Sequence, residues 1–146
     1  AVLSGFGVVL DAELASCVTR ADPCVVMISA EHPLAAKAEI HPRELRGMPI
    51  VLNRAQDSQP SAAQIAGMYA SMGLGGNPRM YADDFIIHAG LAFSIMPASM
   101  ADWGISGVVF RPLHGFRAKA RTLLVYPRGR KELGVSSFVS LIKPKR

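Results

Sequence analysis

Cysteine and long apolar runs are scarce in this sequence, and each scarcity excludes a class of protein. Cys17 and Cys24 are the only cysteines, and their spacing matches neither a CxxC motif nor a Cys/His cluster, so no zinc or redox site is expected. The longest apolar stretches, such as residues 91–97, fall far short of the ~20 residues that a membrane-spanning helix needs. The apolar N-terminus has no basic leader and no small-residue cleavage site, so we expect no signal peptide and a cytoplasmic location.

The excess of positive charge, a formal +5, does not by itself indicate nucleic-acid binding. Most basic residues lie from Arg79 onward, scattered and not interleaved with aromatic residues, and no helix-turn-helix, RNP or zinc-finger pattern accompanies them. We interpret them as a solvated basic face with a basic tail, which can still attract anionic ligands.

Half of the residues are hydrophobic, which is enough for a buried core, and short β-rich runs alternate with helical ones. Strands are predicted at residues 8–14, 24–29, 49–52, 79–82, 92–96, 108–111 and 122–126. Pro33 and Pro42 favour one-turn helices, and the clearest helix begins at Ser61 with a capping box over residues 61–64 and stops at Gly73. Helices are also predicted at 83–88 and 130–142, so the pattern indicates an α/β fold.

Signals for catalysis are weak. The sequence has no Gly-x-Ser-x-Gly motif, and Asp83 and Asp84 are better explained as helix N-caps than as a catalytic pair. Residues 73–76 are glycine-rich, but they end a helix and do not link a strand to one, so they form no phosphate loop. The histidines are dispersed, and we expect His32 and His41, each before a proline, to serve at element starts. We therefore predict no enzyme, no metal and no cofactor.

A series of motifs runs along nearly the whole chain in a fixed order. They are Leu10-Asp11-Ala12, the strand at 24–29, Glu31-His32-Pro33-Leu34-Ala35, Leu45-Arg46-Gly47-Met48-Pro49-Ile50, residues 88–97 (HAGLAFSIMP) and residues 107–113 (GVVFRPL). In this order and spacing the motifs resemble the effector-binding domain of LysR-type transcriptional regulators. Ala92 departs from the family pattern, because a second glycine usually stands there and an alanine cannot adopt a glycine-only conformation.

The resemblance implies a type 2 periplasmic-binding-protein fold, in which two Rossmann-like lobes enclose a ligand cleft. Residues 31–116 would form an intact second lobe, and residues 1–30 and 117–146 would form parts of the first. The usual opening strand and helix of the first lobe are expected to be absent, as is the winged helix-turn-helix that precedes them in the family.

Ligand clefts of open α/β lobes form at the carboxyl ends of parallel strands, so the residues after the strand at 49–52 are the first candidates. These are Leu52, Asn53, Arg54 and Gln56. Arg54 can hold a carboxylate through two parallel bonds, although a solvated loop arginine is an equally good interpretation. The family motif adds Gly90, Leu91 and Phe93 as second-tier candidates.

The resemblance thus implies an effector-sensing and dimerisation domain that binds a small metabolite, with a carboxylate expected. A homodimer or tetramer is expected, with DNA contacted only through a winged helix-turn-helix absent from this chain. Two alternatives stay open at this point: a stand-alone solute-binding protein of the same fold, against which the missing leader counts, and a remnant that binds no small molecule.

Overall fold

The computed structural model describes residues 2–5, 12–53, 62–82, 90–128, 137–138 and 140–141. The predicted helix at 83–88, the start of the capping box at Ser61 and most of the predicted strand at 8–14 lie outside these residues. The helical residues 137–138 and 140–141 fall within the predicted helix at 130–142, the remainder of which is also outside.

The described strands and helices include those predicted, in the same order, and two that were not predicted, a strand at Val2–Gly5 and a 3₁₀ helix at Ala98–Trp103. The strands are β1 (Val2–Gly5), β2 (Leu14–Ser29), β3 (Ile50–Asn53), β4 (Arg79–Ala82), β5 (Phe93–Pro97), β6 (Val108–Pro112) and β7 (Lys119–Pro127). The α-helix is α1 (Ala62–Ser71), and the 3₁₀ helices are η1 (Pro33–Ala36), η2 (Pro42–Leu45) and η3 (Ala98–Trp103). The structure confirms the predicted strands at 24–29, 49–52, 79–82, 92–96, 108–111 and 122–126. The strand at 24–29 is the second half of the longer β2, and the ends of the other strands differ from the prediction by up to three residues.

The long strand β2 belongs to two sheets in succession. Residues 14–23 pair antiparallel with β7, which pairs with β1, and we call this the first sheet. Residues 24–29 pair antiparallel with β5 on one side and with β6 on the other, and β5 continues through β3 to β4 in parallel. We call this the second sheet, and its order is β4-β3-β5-β2-β6.

The sequence pattern found only the second half of β2. Residues 24–29 are all buried, as an apolar run covered on both faces should be, whereas the first half alternates partly buried and exposed positions. That first half also contains Asp22 and Pro23, and aspartate and proline are depleted in strands. Pairing with β7 overrides this local preference.

The core of the second sheet lies on both of its faces. Val26 and Ile28 of β2 join Phe93 and Ile50 in the larger cluster, to which α1 contributes Ile65 and Tyr69. On the other face Met27, Val51 and Ala92 form a smaller cluster. Ala92 is buried without a left-handed backbone, so the departure from the family's glycine is accommodated by packing.

One face of α1 packs into the core, since Ile65 and Tyr69 are buried and Met68 and Met72 pack against the same cluster. Gly73 stops the helix as predicted, with a left-handed φ of 73°. The following turn brings in Asn77, a buried amide that ties two loops together. Its Nδ2 donates to the main-chain carbonyls of Leu45 (2.6 Å) and Met48 (2.9 Å). This bond pair fixes the entries of β3 and β4 beside each other.

Candidate functional site

The carboxyl ends of the parallel strands meet the junction between the two sheets. On β2 the pair Pro23↔Lys119 is the last of the first sheet, and Cys24↔Pro97 is the first of the second. Since Pro97 ends β5, and β3 and β4 run parallel to β5, the ends of these strands at Asn53 and Ala82 lie on the same side. Such an edge is where open α/β sheets place their ligands. We call it the junction edge.

Of the residues predicted to bind a ligand, Asn53 lies at the junction edge. Its backbone is paired with Ala82 at the ends of β3 and β4. Leu52, one position earlier, is buried in the larger core cluster, so its side chain packs in the core beneath the junction edge. Arg54 and Gln56 follow Asn53 directly in the chain but lie outside the described residues.

The structure does not bring Gly90, Leu91 and Phe93 together with Asn53. Phe93 begins β5 opposite Ile50, and its N–H donates to the Pro49 carbonyl at 3.1 Å. From there to Asn53 the sheet advances three residues, about 10 Å at the usual rise of a strand. Gly90 and Leu91 precede Phe93 and thus lie farther still from the junction edge.

These three residues also differ from one another in what they expose. Phe93 is fully buried, so its side chain is a core residue. Leu91 is 72% exposed, and Gly90 takes a left-handed φ of 69° beside Ser29 at the far end of β2. The family motif that suggested these three residues runs into the amino end of β5, whereas Asn53 stands at the carboxyl end of β3. The strand register therefore separates them from Asn53.

A polar group at the junction was missed by the sequence interpretation. Asp22, only 8% exposed, accepts a hydrogen bond from Arg20 Nε at 2.8 Å and another from Ser99 Oγ at 3.0 Å. Ser99 lies in η3, directly after the carboxyl end of β5, whereas Arg20 and Asp22 lie on the first-sheet part of β2. An arginine and an aspartate two residues apart share one face of a strand, which is the signal that could have indicated them.

The three histidines among the described residues serve local structure, as predicted for two of them. His32 caps η1 by accepting the Leu34 N–H at Nδ1, 3.1 Å away. His41 stands before η2, and its backbone N–H donates to Glu44 at 3.0 Å. That bond and the Lys37 ammonium together lower the pKa of the Glu44 carboxyl, Lys37 having the larger effect. His114 pairs with Glu39 at 2.9 Å.

The two cysteines behave as core and near-core residues. Cys24 is buried, and this burial raises the pKa of its thiol to about 11, with the negative charge of Asp22 adding to the effect. Cys17 is half-buried. Within the described ranges no three His, Cys, Asp or Glu side chains are grouped as metal ligands would be. No helix among those residues is both long and apolar enough for a membrane crossing.

The family model described as "LysR substrate binding domain" matches residues 2–145, and the chain belongs to this family. Its fold is the type 2 periplasmic-binding-protein fold, which it shares with solved effector-binding domains of LysR-type regulators. The resemblance drawn from the ordered motifs is therefore confirmed.

One relative is similar in sequence, and several solved structures are similar in fold at low sequence identity. The Hca operon transcriptional activator HcaR of Escherichia coli (strain K12) is 23% identical over 129 residues, which are 85% of this chain and 44% of HcaR. The BenM effector-binding domain with its effector benzoate superposes with a TM-score of 0.76 at 17% identity, covering 97% of this chain and 67% of that one. Full-length CbnR in complex with its target DNA superposes with a TM-score of 0.79 at 16% identity, covering 97% of this chain and 51% of CbnR. The chain thus spans less than half of the curated relative that it matches.

Proposed function

We propose that this chain senses a small anionic metabolite at the junction edge and passes the resulting change of shape to a DNA-reading part of a LysR-type regulator. The observation that carries the proposal is the course of β2. One strand belongs to both sheets, and the carboxyl ends of β3, β4 and β5 face the point where it changes from one sheet to the other. A ligand bound there contacts both sheets.

Binding at such a junction alters the angle between the two lobes, because the lobes are joined by few chain crossings. Among the described residues, β2 crosses at Pro23–Cys24, and the segment after β6, residues 113–118, crosses back to β7. A ligand that contacts both sheets favours the closed arrangement by its differential affinity for it. We divide the lobes at residue 23, earlier in the chain than the predicted limit at Ala30, since residues 24–29 pair within the second sheet.

The expected ligand class is a carboxylate. Asn53 ends β3 at the junction edge, and Arg54 and Gln56 follow it; an arginine binds a carboxylate through two parallel bonds. The formal charge of +5 favours approach of an anion. Support also comes from BenM, whose similar domain is described with benzoate as its effector.

A thermal-shift screen tests the proposal. The purified chain is heated with aromatic and aliphatic carboxylates, amino acids and sugar acids, and the Arg54→Ala variant is screened in parallel with Arg121→Ala as the charge-matched control. A ligand of the native state adds about 2.7 kcal/mol of stability at a hundredfold excess over its Kd. We expect a carboxylate hit that Arg54→Ala weakens and Arg121→Ala does not. A folded chain stabilised by none of these compounds would contradict the proposal.

We further propose that the chain pairs with a second copy and acts in the cytoplasm, where a regulator meets DNA through a separate winged helix-turn-helix. In the described part of the second sheet, β4 and β6 are the outer strands, and Met80 on β4 is 41% exposed. An exposed strand edge with apolar side chains favours pairing with another chain. Light scattering coupled to size exclusion is expected to give a dimer or tetramer that Met80→Glu weakens, and a concentration-independent monomer would count against it.

A further inference from the structure

We infer that Arg20 is the effector-carboxylate contact of the first sheet, and that Asp22 and Ser99 hold its guanidinium at the junction edge. This rests on the proposed function and names a residue of the site that lies on the first sheet. The one structural feature that carries it is the hydrogen-bonded row Arg20–Asp22–Ser99, which crosses from the first sheet to the end of β5.

The row is anchored at a buried carboxylate. Asp22 faces Ala120 of β7 in the register of the first sheet, and it is almost completely buried. A buried carboxylate needs partners, since burial without them costs several kcal/mol. Asp22 has two: Ser99 Oγ on Oδ2 and Arg20 Nε on Oδ1. Each oxygen is thus used by a different element, and the carboxylate plane is fixed.

The geometry at Arg20 leaves its binding end available. The bond to Asp22 uses Nε, and the side chain of Arg20 is 58% exposed against 11% for Asp22. Within the described residues the terminal nitrogens Nη1 and Nη2 of Arg20 take part in no recorded bond. A guanidinium held through Nε presents its remaining N–H groups as a fork, the geometry that binds a carboxylate with two bonds.

The position of the row fits a ligand held between the sheets. Arg20 lies on β2 before the junction at Pro23–Cys24, and its side chain is directed by Asp22 toward that junction. Ser99 comes two residues after Pro97, the end of β5, whose neighbour β3 ends at Asn53. An anion on the Arg20 fork therefore lies between a first-sheet cation and the junction edge of the second sheet.

A purely structural role for Arg20 makes a different prediction. If the guanidinium only neutralises Asp22, its replacement lowers the stability of the chain and leaves ligand affinity unchanged. If the fork binds the effector, affinity for carboxylates falls and affinity for neutral analogues does not. The two roles are separated by measuring melting temperature and Kd on the same samples.

The test uses calorimetric titration of the 146-residue chain with benzoate, succinate and acetate, and with benzamide as the neutral partner of benzoate. Arg20→Gln removes the charge, and Arg20→Lys keeps the charge but not the fork. Arg121→Gln is the matched control, because Arg121 pairs with Ala21 on the neighbouring strand and its side chain lies on the opposite face from Arg20. Ser99→Ala removes one anchor of Asp22 without any change of charge.

We expect both Arg20 variants to weaken the carboxylate that binds best by about tenfold or more, as for loss of a charged hydrogen-bond pair. Ser99→Ala is expected to give a smaller loss, about two- to fivefold, and Arg121→Gln and the benzamide titrations are expected to show no change. Should Arg20→Gln fail to fold, Arg20→Lys retains the charge beside Asp22 and carries the test.

Two outcomes overturn the inference and differ in what else they affect. If a carboxylate binds the native chain and both Arg20 variants bind it as tightly, Arg20 only neutralises Asp22, while the proposed function stands. If no carboxylate in the series binds the native chain, the proposed function fails and the inference fails with it.

Discussion

Replacing Tyr69 by phenylalanine removes one hydroxyl from the core and is expected to destabilise the second sheet. Tyr69 extends from α1 to β5, where its hydroxyl oxygen accepts the Ile95 N–H at 3.2 Å. The neighbouring strand β3 is recorded in register with β5 at Ile50↔Phe93. Beyond that pair the tyrosine hydroxyl takes the place of a strand carbonyl as the acceptor for Ile95.

The size of the effect follows from the burial of both partners. Tyr69 is 3% exposed and Ile95 is 4% exposed, so no solvent can replace the lost acceptor. A buried donor left without a partner costs about 1–3 kcal/mol, whereas the ring and its edge contact with Phe93 are retained. For a domain of this size the melting temperature is expected to fall by roughly 4–10 °C.

The same burial predicts an alkaline signature. Desolvation raises the pKa of Tyr69 from its usual 10 to about 12. Between these values the unfolded chain loses the phenolic proton and the folded chain keeps it, so stability falls as pH rises from 10 and levels off near 12. The free energy of unfolding is lowered by about 1.4 kcal/mol at pH 11 for this reason, and the Tyr69→Phe variant does not show this loss.

Urea denaturation at pH 8 and pH 11 measures both the destabilisation caused by Tyr69→Phe and the loss of stability at alkaline pH. Tyr126→Phe, a half-buried tyrosine on β7, is the control and is expected to stay within about 0.5 kcal/mol of the native chain. If Tyr69→Phe were as stable as the native chain at pH 8, or lost as much stability on going to pH 11, the argument from the buried hydroxyl would be refuted.

Two further predictions concern buried polar groups. Asn77→Ala is expected to lower the free energy of unfolding by about 2–3 kcal/mol. Asn77→Asp is expected to lower it further, because a carboxylate would face the two carbonyls to which the amide now donates. Urea denaturation measures both variants, and an Asp variant as stable as the Ala variant would contradict this reasoning. At pH 8 the buried Cys24, with a pKa of about 11, has roughly one thiolate in a thousand, so iodoacetamide followed by peptide mass analysis should label Cys17 first in the native chain; equal labelling of both without denaturant would be inconsistent with this.

The fold was predictable wherever a local pattern and the tertiary structure agree. The capped run that became α1, the buried strand at 24–29 and the proline-led turns at Pro33 and Pro42 each combine propensity and periodicity. The first half of β2 was not predictable, because Arg20, Asp22 and Pro23 have no strand pattern and the strand is stabilised by β7, about a hundred residues later.

The candidate site was predictable only in part, because strand register depends on the pairing of segments that are far apart in the sequence. Asn53 follows from the rule that ligands lie beyond the carboxyl ends of parallel strands. Leu91 was drawn in by a motif, and only the pairing of Phe93 with Ile50 shows that it lies at the other end of β5. The contact between Asp22 and Ser99 joins residues 77 positions apart and has no sequence signature.

The most direct test of the account is a ¹H–¹⁵N chemical-shift titration of the labelled chain with benzoate and succinate. We predict that the amide signals that move lie at the junction edge, at Asn53, Ala82 and Ser99, together with the side-chain Nε–H of Arg20. Gly90 and Leu91, at the opposite end of β5, are expected to stay in place. Saturable shifts centred on Gly90 and Leu91, with none at the junction edge, would contradict a ligand site at the junction edge.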